Sequence, residues 1–174
     1  MKRFSSFIAI FLLAGLIHLS MTTITKAAEA PPDMASGLIM QMLTFEKSLM
    51  ATGGDLTIHV IGSSAIADEL RKSIGSSIAK CKLTVVTSSN DVPTEKVSVL
   101  VIADSKKVDK AIEYTRAKQI ISITNNPDLV KKGISLGIGM NDTGGQSLLL
   151  NMTASKAEGL NWKPAILKIA KAVK

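Results

Sequence analysis

Hydrophobic and polar positions change their spacing along this chain in an order that alternates strands with helices. Leu56-Thr57-Ile58-His59-Val60-Ile61 is dominated by β-branched residues, and Leu56, Ile58 and Val60 share one face, so it reads as a strand. Gly62 breaks it, and Ser63 and Ser64 supply a helix cap. Residues 65–74 then place Ile66, Leu70 and Ile74 on one helical stripe. A strand, a glycine turn and a capped helix form the first half of a βαβ unit, which is expected to start the sheet. Upstream, residues 34–50 read as one amphipathic helix with Leu38, Met42, Phe45 and Leu49 on its inner stripe.

Downstream the same grammar returns. Residues 83–86 form a short strand, and residues 87–95 form a loop rich in Ser, Asn and Asp with Pro93. Residues 97–103 are almost continuously apolar, as a strand covered on both faces requires. Residues 106–118 predict a helix with Val108, Ala111, Ile112 and Thr115 inward, and residues 119–124 the next strand. Asn125-Asn126-Pro127-Asp128 caps a short helix ending at Lys132-Gly133.

The spacing then switches to two. Ile134, Leu136, Ile138 and Met140 alternate with Ser135, Gly137 and Gly139. Residues 141–145 turn, and residues 146–152 alternate again, which predicts an antiparallel hairpin. The small-residue face of its first strand indicates close packing. Thr153 is read as the cap of a short helix closed by Gly159. Pro164 is read as the start of a last helix with Ile166, Ile169, Ala170 and Val173 inward and Trp162 beneath it. The fold expected is an α/β three-layer sandwich, with a mostly parallel central sheet and a C-terminal antiparallel hairpin.

The N-terminus changes the picture of where the domain works. Lys2 and Arg3 precede the apolar run 7–19, which is shorter than the ~20 residues of a membrane span. Thr25-Lys26-Ala27 offers small residues at the −3 and −1 positions of a cleavage site. Residues 1–27 read as a cleaved signal peptide and residues 28–174 as one exported domain. A cut after Ala30 and an uncleaved anchor are the rival readings. Without the leader 147 residues remain, enough for a single core, and the charge falls from +7 to +4 because Lys2, Arg3 and Lys26 leave while all 14 acidic residues stay. No Arg/Lys block with interleaved aromatics survives, so nucleic acid is not an expected partner.

Candidate chemistry is sparse. Gly62, Ser63 and Ser64 present backbone N–H groups at a helix start, a possible anion or ligand turn, although the Lys of a P-loop and the further glycines of a dinucleotide fingerprint are missing. His59 lies mid-strand, opposite Leu56, Ile58 and Val60, and reads as a packed or half-exposed residue. Ser63 and Asp104 are imaginable triad partners for it, but no catalytic base has a visible partner in sequence, so neither enzymatic activity nor a metal or cofactor is expected. Cys81 is the lone cysteine: a half-buried residue at a strand mouth, or an intermolecular or redox-responsive thiol. Gly53-Gly54-Asp55 starts like a diguanylate cyclase signature but continues Leu56-Thr57, and reads as a turn. Two Asn-x-Thr sequons, at Asn141 and Asn151, are of a kind that arises by chance. Met40, Met42, Phe45 and Met50 give the first helix more soft apolar surface than one stripe needs, a possible partner surface beside the alternative of plain core.

The C-terminal third carries a resemblance. Gln119-Ile-Ile-Ser-Ile-Thr, Lys132-Gly133-Ile-Ser-Leu, Leu149-Leu-Asn151-Met-Thr-Ala154-Ser-Lys-Ala157-Glu-Gly159-Leu160 and Ile166-Leu-Lys-Ile169-Ala170 resemble the YfiR-like family of small exported bacterial proteins. With the opening helix and the strand ending in Gly62, the resemblance covers residues 35–173. It implies structural roles for Gly133, Asn151, Ala154, Gly159 and Leu160, with the Asn151 amide hydrogen-bonded to backbone in a strand-to-helix turn. It also implies a non-enzymatic periplasmic regulator that binds and represses the periplasmic sensor domain of an inner-membrane diguanylate cyclase, so controlling cyclic-di-GMP and biofilm formation. A homodimer is the expected state. The alternative is a periplasmic protein that binds or senses a small ligand.

Overall fold

The computed structural model describes residues 28–173, and the expected signal peptide with its cleavage site lies outside them. Nine strands form one sheet in the order β3-β4-β2-β5-β6-β7-β8-β9, with β1 paired to β7 off this path. They are β1 (Ala28–Glu29), β2 (Gly54–Ile61), β3 (Ser77–Ile78), β4 (Cys81–Ser89), β5 (Val99–Ile102), β6 (Ile121–Thr124), β7 (Leu136–Met140), β8 (Gln146–Asn151) and β9 (Lys171–Val173). The helices are α1 (Pro32–Leu43), α2 (Lys47–Thr52), α3 (Ser64–Arg71), α4 (Val108–Lys118) and α5 (Met152–Ala157), with 3-10 turns at Ser105–Lys107, Pro127–Lys132 and Pro164–Lys168.

The pairs β2–β4, β2–β5, β5–β6 and β6–β7 are parallel, and β7–β8 is the antiparallel hairpin. β2 therefore lies inside the sheet, between β4 and β5, in the doubly wound manner, but it does not start the sheet, because β1 precedes it in the chain and pairs with β7. On one face, α1 and α3 bury Leu38, Ile39, Met42, Ile66 and Leu70 against Leu56, Ile58 and Val60. On the other, α4 buries Val108, Ala111 and Ile112 against Ile61, Leu100 and Ile102. Helices on both faces make the three-layer sandwich. At β7, the glycine face is used for close approach: a Cβ on Gly137 would lie 2.2 Å from Val130 Cγ2, and one on Gly139 would lie 2.2 Å from Pro127 Cγ and 2.7 Å from the Ala28 carbonyl.

Several expectations need correction. Residues 34–50 are two helices, α1 and α2. The chain straightens at Glu46, whose carboxylate caps α2 by accepting from Leu49 N at 3.0 Å and also accepts from Asn161 N at 3.1 Å. Helical continuity is exchanged there for contact with the C-terminal segment, including a bridge from Glu46 to Trp162. The helix expected at 65–74 stops at Arg71, and Ile74, which was placed on its buried stripe, is 47% exposed in the turn leading to β3. Strand β4 runs on through Thr87–Ser89, residues read as loop, because β2 offers partners there: His59 to Thr87, Val60 to Ser88 and Ile61 to Ser89. The apolar spacing predicts none of the short strands β1, β3 and β9.

The last helix is not formed either. After the 3-10 turn Pro164–Lys168, the chain becomes β9, parallel to β8 from Leu149↔Lys171 to Asn151↔Val173, and Ile169 is 45% exposed. An otherwise unpaired β8 edge outweighs a weak helical stripe. Asn151, not Thr153, caps α5. At the opposite edge, Arg71 donates from Nε to the Val86 carbonyl at 3.3 Å and from Nη2 to Ser88 Oγ at 3.3 Å, covering part of the outer side of β4.

Candidate functional site

The crossover from β4 to β5 passes over β2 without a helix, and a groove of about 520 Å³ lies beside it. Its floor is the sheet face carrying Thr57, His59, Val85, Thr87 and Ser89, and its wall is Pro93–Val97. The register explains the floor: Thr57 pairs with Val85, His59 with Thr87 and Ile61 with Ser89, so alternate residues of two parallel strands share a face. His59 is 5% exposed. Its Nε2 lies 3.2 Å from the Asp91 carbonyl and 2.9 Å from Ser89 Oγ, and its Nδ1 lies 2.7 Å from Thr87 Oγ1. A carbonyl only accepts, so Nε2 carries the hydrogen and Nδ1 accepts from the Thr87 hydroxyl. Burial lowers the His59 pKa, and the bond to the Asp91 carbonyl opposes that in part.

The crossover that carries the wall is tied to α4 and to the 3-10 turn before it. Asp91 pairs with Lys110 at 2.8 Å and Lys107 at 3.5 Å, and the Tyr114 hydroxyl donates to the Glu95 carbonyl. The Lys110 hydrogen bond, then the bond from Val92 N, hold the Asp91 carboxyl down to about 2. Sequence reading missed Thr87, Ser89 and Asp91 because it ended β4 too early. The hydroxyls at Thr87 and Ser89, two apart and in step with Thr57 and His59, were the available signal.

The turn Gly62-Ser63-Ser64 is engaged internally. Gly62 has φ +81°, and a Cβ there would lie 2.5 Å from Asp104 Cβ, so the carboxyl ends of β2 and β5 close on each other where doubly wound sheets usually open. Ser63 Oγ accepts from Ile66 N at 3.2 Å, and Asp104 Oδ1 accepts from Lys106 N at 2.9 Å. Ser63 and Asp104 therefore each serve a local turn or cap, and His59, engaged with Thr87, Ser89 and the Asp91 carbonyl, bonds to neither.

The motif residues of the C-terminal third gather around two buried polar side chains. Asn151 donates from Nδ2 to the Val130 carbonyl and accepts at Oδ1 from Ala154 N, both at 2.9 Å, which joins β8, α5 and the 3-10 turn before Gly133. Gly133, at φ +121°, leaves room for the Arg116 guanidinium, whose Nη2 would lie 2.9 Å from a Cβ. Ala154 is buried, and Leu160 packs on the core. Glu158, 1% exposed, accepts from Thr115 Oγ1 at 2.8 Å, Ser122 N at 3.1 Å and Ser135 Oγ at 2.5 Å. Burial raises its pKa against those hydrogen bonds. Gly159 follows at φ +71°, a left-handed conformation that favours glycine. Glu158 was also missed; Ser122 and Ser135, polar residues inside apolar runs, were the sign that a buried acceptor faces them.

The methionine stretch is mostly core. Met42 is fully buried, so it cannot serve as partner surface, and Met40 and Phe45 pack against the core while partly open; the side chain of Met50 lies outside what the structure describes. Cys81 is buried rather than half-buried. Its thiol donates to the Leu49 carbonyl at 3.3 Å, and burial, then the nearby Glu46 carboxylate, push its pKa up. A raised pKa disfavours the reactive thiolate. Among the described residues no cluster of three or more His, Cys, Asp or Glu side chains could hold a metal ion, and no helix is long and apolar enough to cross a membrane.

With this geometry in place, comparisons with known proteins are informative. No curated protein matches the chain significantly. A conserved domain protein from Vibrio cholerae O1 biovar El Tor, known from its crystal structure, aligns with a TM-score of 0.53 at 18% identity, covering 83% of this chain and 60% of that one. That likeness is one of fold, and this chain spans 60% of the length of its neighbour. The YfiR/HmsC-like family model matches residues 38–171, which include the groove, the Asn151 cap and the Glu158 cluster. By that match the chain belongs to the YfiR/HmsC-like family.

Proposed function

We propose that the protein is a non-enzymatic periplasmic regulator that binds the periplasmic sensor domain of an inner-membrane diguanylate cyclase and holds the enzyme inactive. The family match over residues 38–171 carries this reading, since the family is one of regulators associated with periplasmic control of cyclic-di-GMP signalling. The leader-like residues 1–27 support export, and a homodimer is part of the proposal. The structure adds a reason for cleavage after Ala27 rather than Ala30. Ala28 and Glu29 form β1, and Ala30 N donates to the Asn125 carbonyl at 3.0 Å, so the later cut removes built structure. Intact mass of the periplasmic protein tests this; a chain starting at Pro31 defeats it.

Deleting the gene is expected to raise cyclic-di-GMP and surface attachment, with crosslinked pull-down from intact cells recovering a diguanylate cyclase. An unchanged nucleotide level, with a transporter or receptor as the crosslinked protein, defeats the cyclase reading. The groove over β2 and β4 favours a second reading, small-ligand sensing, because its volume falls in the ~300–1,000 Å³ range of ligand pockets. Calorimetry with periplasmic metabolites distinguishes the two, since heat of binding that Val85→Lys abolishes supports sensing.

A further inference from the structure

Charge is spread unevenly over this domain. Residues 28–142 hold 13 basic and 13 acidic residues and are neutral, whereas residues 143–174 hold five lysines and one acid. The whole +4 excess of the exported domain therefore lies in residues 143–174. The one acid is Glu158, 1% exposed and committed to Thr115, Ser122 and Ser135. No exposed acidic residue of this stretch offsets its lysines. An asymmetry of this kind marks a surface that meets an anionic partner.

The same stretch leaves apolar side chains in water. The 3-10 turn Pro164–Lys168 and the start of β9 are held to the core by Ile166 and Ala170, both buried. Between these anchors Leu167 is 52% exposed and Ile169 is 45% exposed. Lys168 lies between the two and Lys171 follows, both exposed, and neither has an acidic partner among the described residues. The strand beside β9 is β8, Gln146–Asn151, which carries no charged residue. Exposed aliphatic side chains interleaved with unpaired lysines are the composition of segments that lie in a membrane interface.

We propose that residues 163–171 form a peripheral membrane-contact surface: Leu167 and Ile169 enter the headgroup region of an anionic phospholipid bilayer, and Lys168 and Lys171 meet its phosphates. The chemistry favours lipid over protein. Protein interfaces are enriched in Tyr, Trp, Phe, Met and Arg and depleted in Lys. Here the surface is lysine and aliphatic, the last arginine of the chain is Arg116, and the buried Trp162 commits its indole N–H to Ser155. A second copy meeting through this face sets lysines against lysines. A bilayer asks for no fixed counter-geometry, because mobile anionic headgroups gather around flexible ammonium groups. Two aliphatic side chains reach only headgroup depth, so the outer edge of β9 stays hydrated, as unpaired backbone groups require. The contact adds to the proposed regulation without depending on it.

Co-sedimentation of the chain of residues 28–174 with vesicles tests the contact. Vesicles of equal parts phosphatidylglycerol and phosphatidylcholine should pellet the protein, and vesicles of phosphatidylcholine alone should not. Lys168→Gln with Lys171→Gln should weaken partitioning by about fivefold per lysine. Lys80→Gln with Lys82→Gln makes the same charge change at the opposite, β3–β4 edge of the sheet and should leave partitioning nearly unchanged. Leu167→Ser with Ile169→Ser should abolish the part of the binding that survives raised salt, which screens only the charges. Failure of the wild type to pellet with the anionic vesicles overturns the proposal whatever the variants do. Equal weakening by the two lysine pairs also overturns it, since net charge alone then explains the binding. So does loss of cyclase crosslinking on Lys168→Gln with Lys171→Gln in a protein that ignores vesicles, which gives the surface to the protein partner. Vesicle binding with no cyclase in the pull-down upholds this contact and defeats the regulatory reading instead.

Discussion

Two polar clusters of similar make-up sit in this domain, and they are built for different ends. Around Glu158, a carboxylate, two hydroxyls and a backbone N–H are sealed between α4, β6, β7 and α5. Around His59, an imidazole and two hydroxyls on the floor of an open groove meet the backbone carbonyl of Asp91. Glu158 is 1% exposed and enclosed on all sides. His59, 5% exposed, lies under a single crossover beside a groove. The same chemistry therefore acts as a rivet where four elements converge and as a fastener where one crossover lies against a sheet.

The comparison breaks most visibly at the rivet. Glu158→Ala leaves two buried donors, Ser122 N and the Ser135 hydroxyl, without this acceptor, while the Thr115 hydroxyl keeps the Ile112 carbonyl; at about 1–3 kcal/mol each, a loss of at least ~2 kcal/mol is expected in denaturant unfolding. Glu158→Gln, which keeps one carbonyl oxygen, should lose less. The two chains should also diverge with pH. The raised Glu158 pKa means that wild type, but not the Gln variant, loses stability as pH rises from about 4.5 through the folded value. A wild-type profile parallel to that of Gln would remove Glu158 from the account.

Asn151→Ala comes next, at about 1–3 kcal/mol, because Ala154 N is orphaned in a buried site and the Val130 carbonyl keeps only its bond from Gly133 N. An unchanged melting temperature with lost partner binding would assign Asn151 to recognition instead. Gly137→Ala should cost about 1–3 kcal/mol by forcing Val130 aside, measured by the same unfolding curves. The smallest effect is expected at the groove. Val85, 45% exposed, should accept lysine within about 0.5 kcal/mol, and a large loss there would mean that this face is packed in solution.

Legibility in the sequence divides along the same line. The parallel core, the hairpin and the glycine face of β7 were readable because apolar periodicity reports burial, and burial shaped those elements. The inner stripe Val108, Ala111, Ile112 and Thr115 is buried as its spacing implied. What failed was decided by partners distant in sequence. Glu46 breaks the first helix because Asn161 and Trp162 wait opposite it. Lys171–Val173 becomes a strand because β8 lacks a neighbour. The candidate site fared worst. Gly62-Ser63-Ser64 was singled out for its local pattern, yet Asp104 fills the space, and the groove at His59 arises from two strands and a crossover that no local window contains. The family-motif residues Gly133, Asn151 and Gly159 were visible as a pattern, but Glu158, one position from Gly159, has a purpose only once Thr115, Ser122 and Ser135 surround it.

The strand β1 has a consequence for the order of assembly. Its residues find their partners at Asn125, Asn126, Gly139 and Met140, and the hydrogen bonds from Asn125 and Asn126 back to Ala30 and Glu29 close loops of 95 and 97 residues. Closing so long a loop carries an entropic penalty that local helices and neighbouring strands do not face, which makes such contacts late and slow. A chain made or translocated from its N-terminus must therefore keep these first residues unpaired until Met140 has emerged. The sheet is completed only after most of the domain is available, so β1 is a late addition to a sheet that must already hold β7.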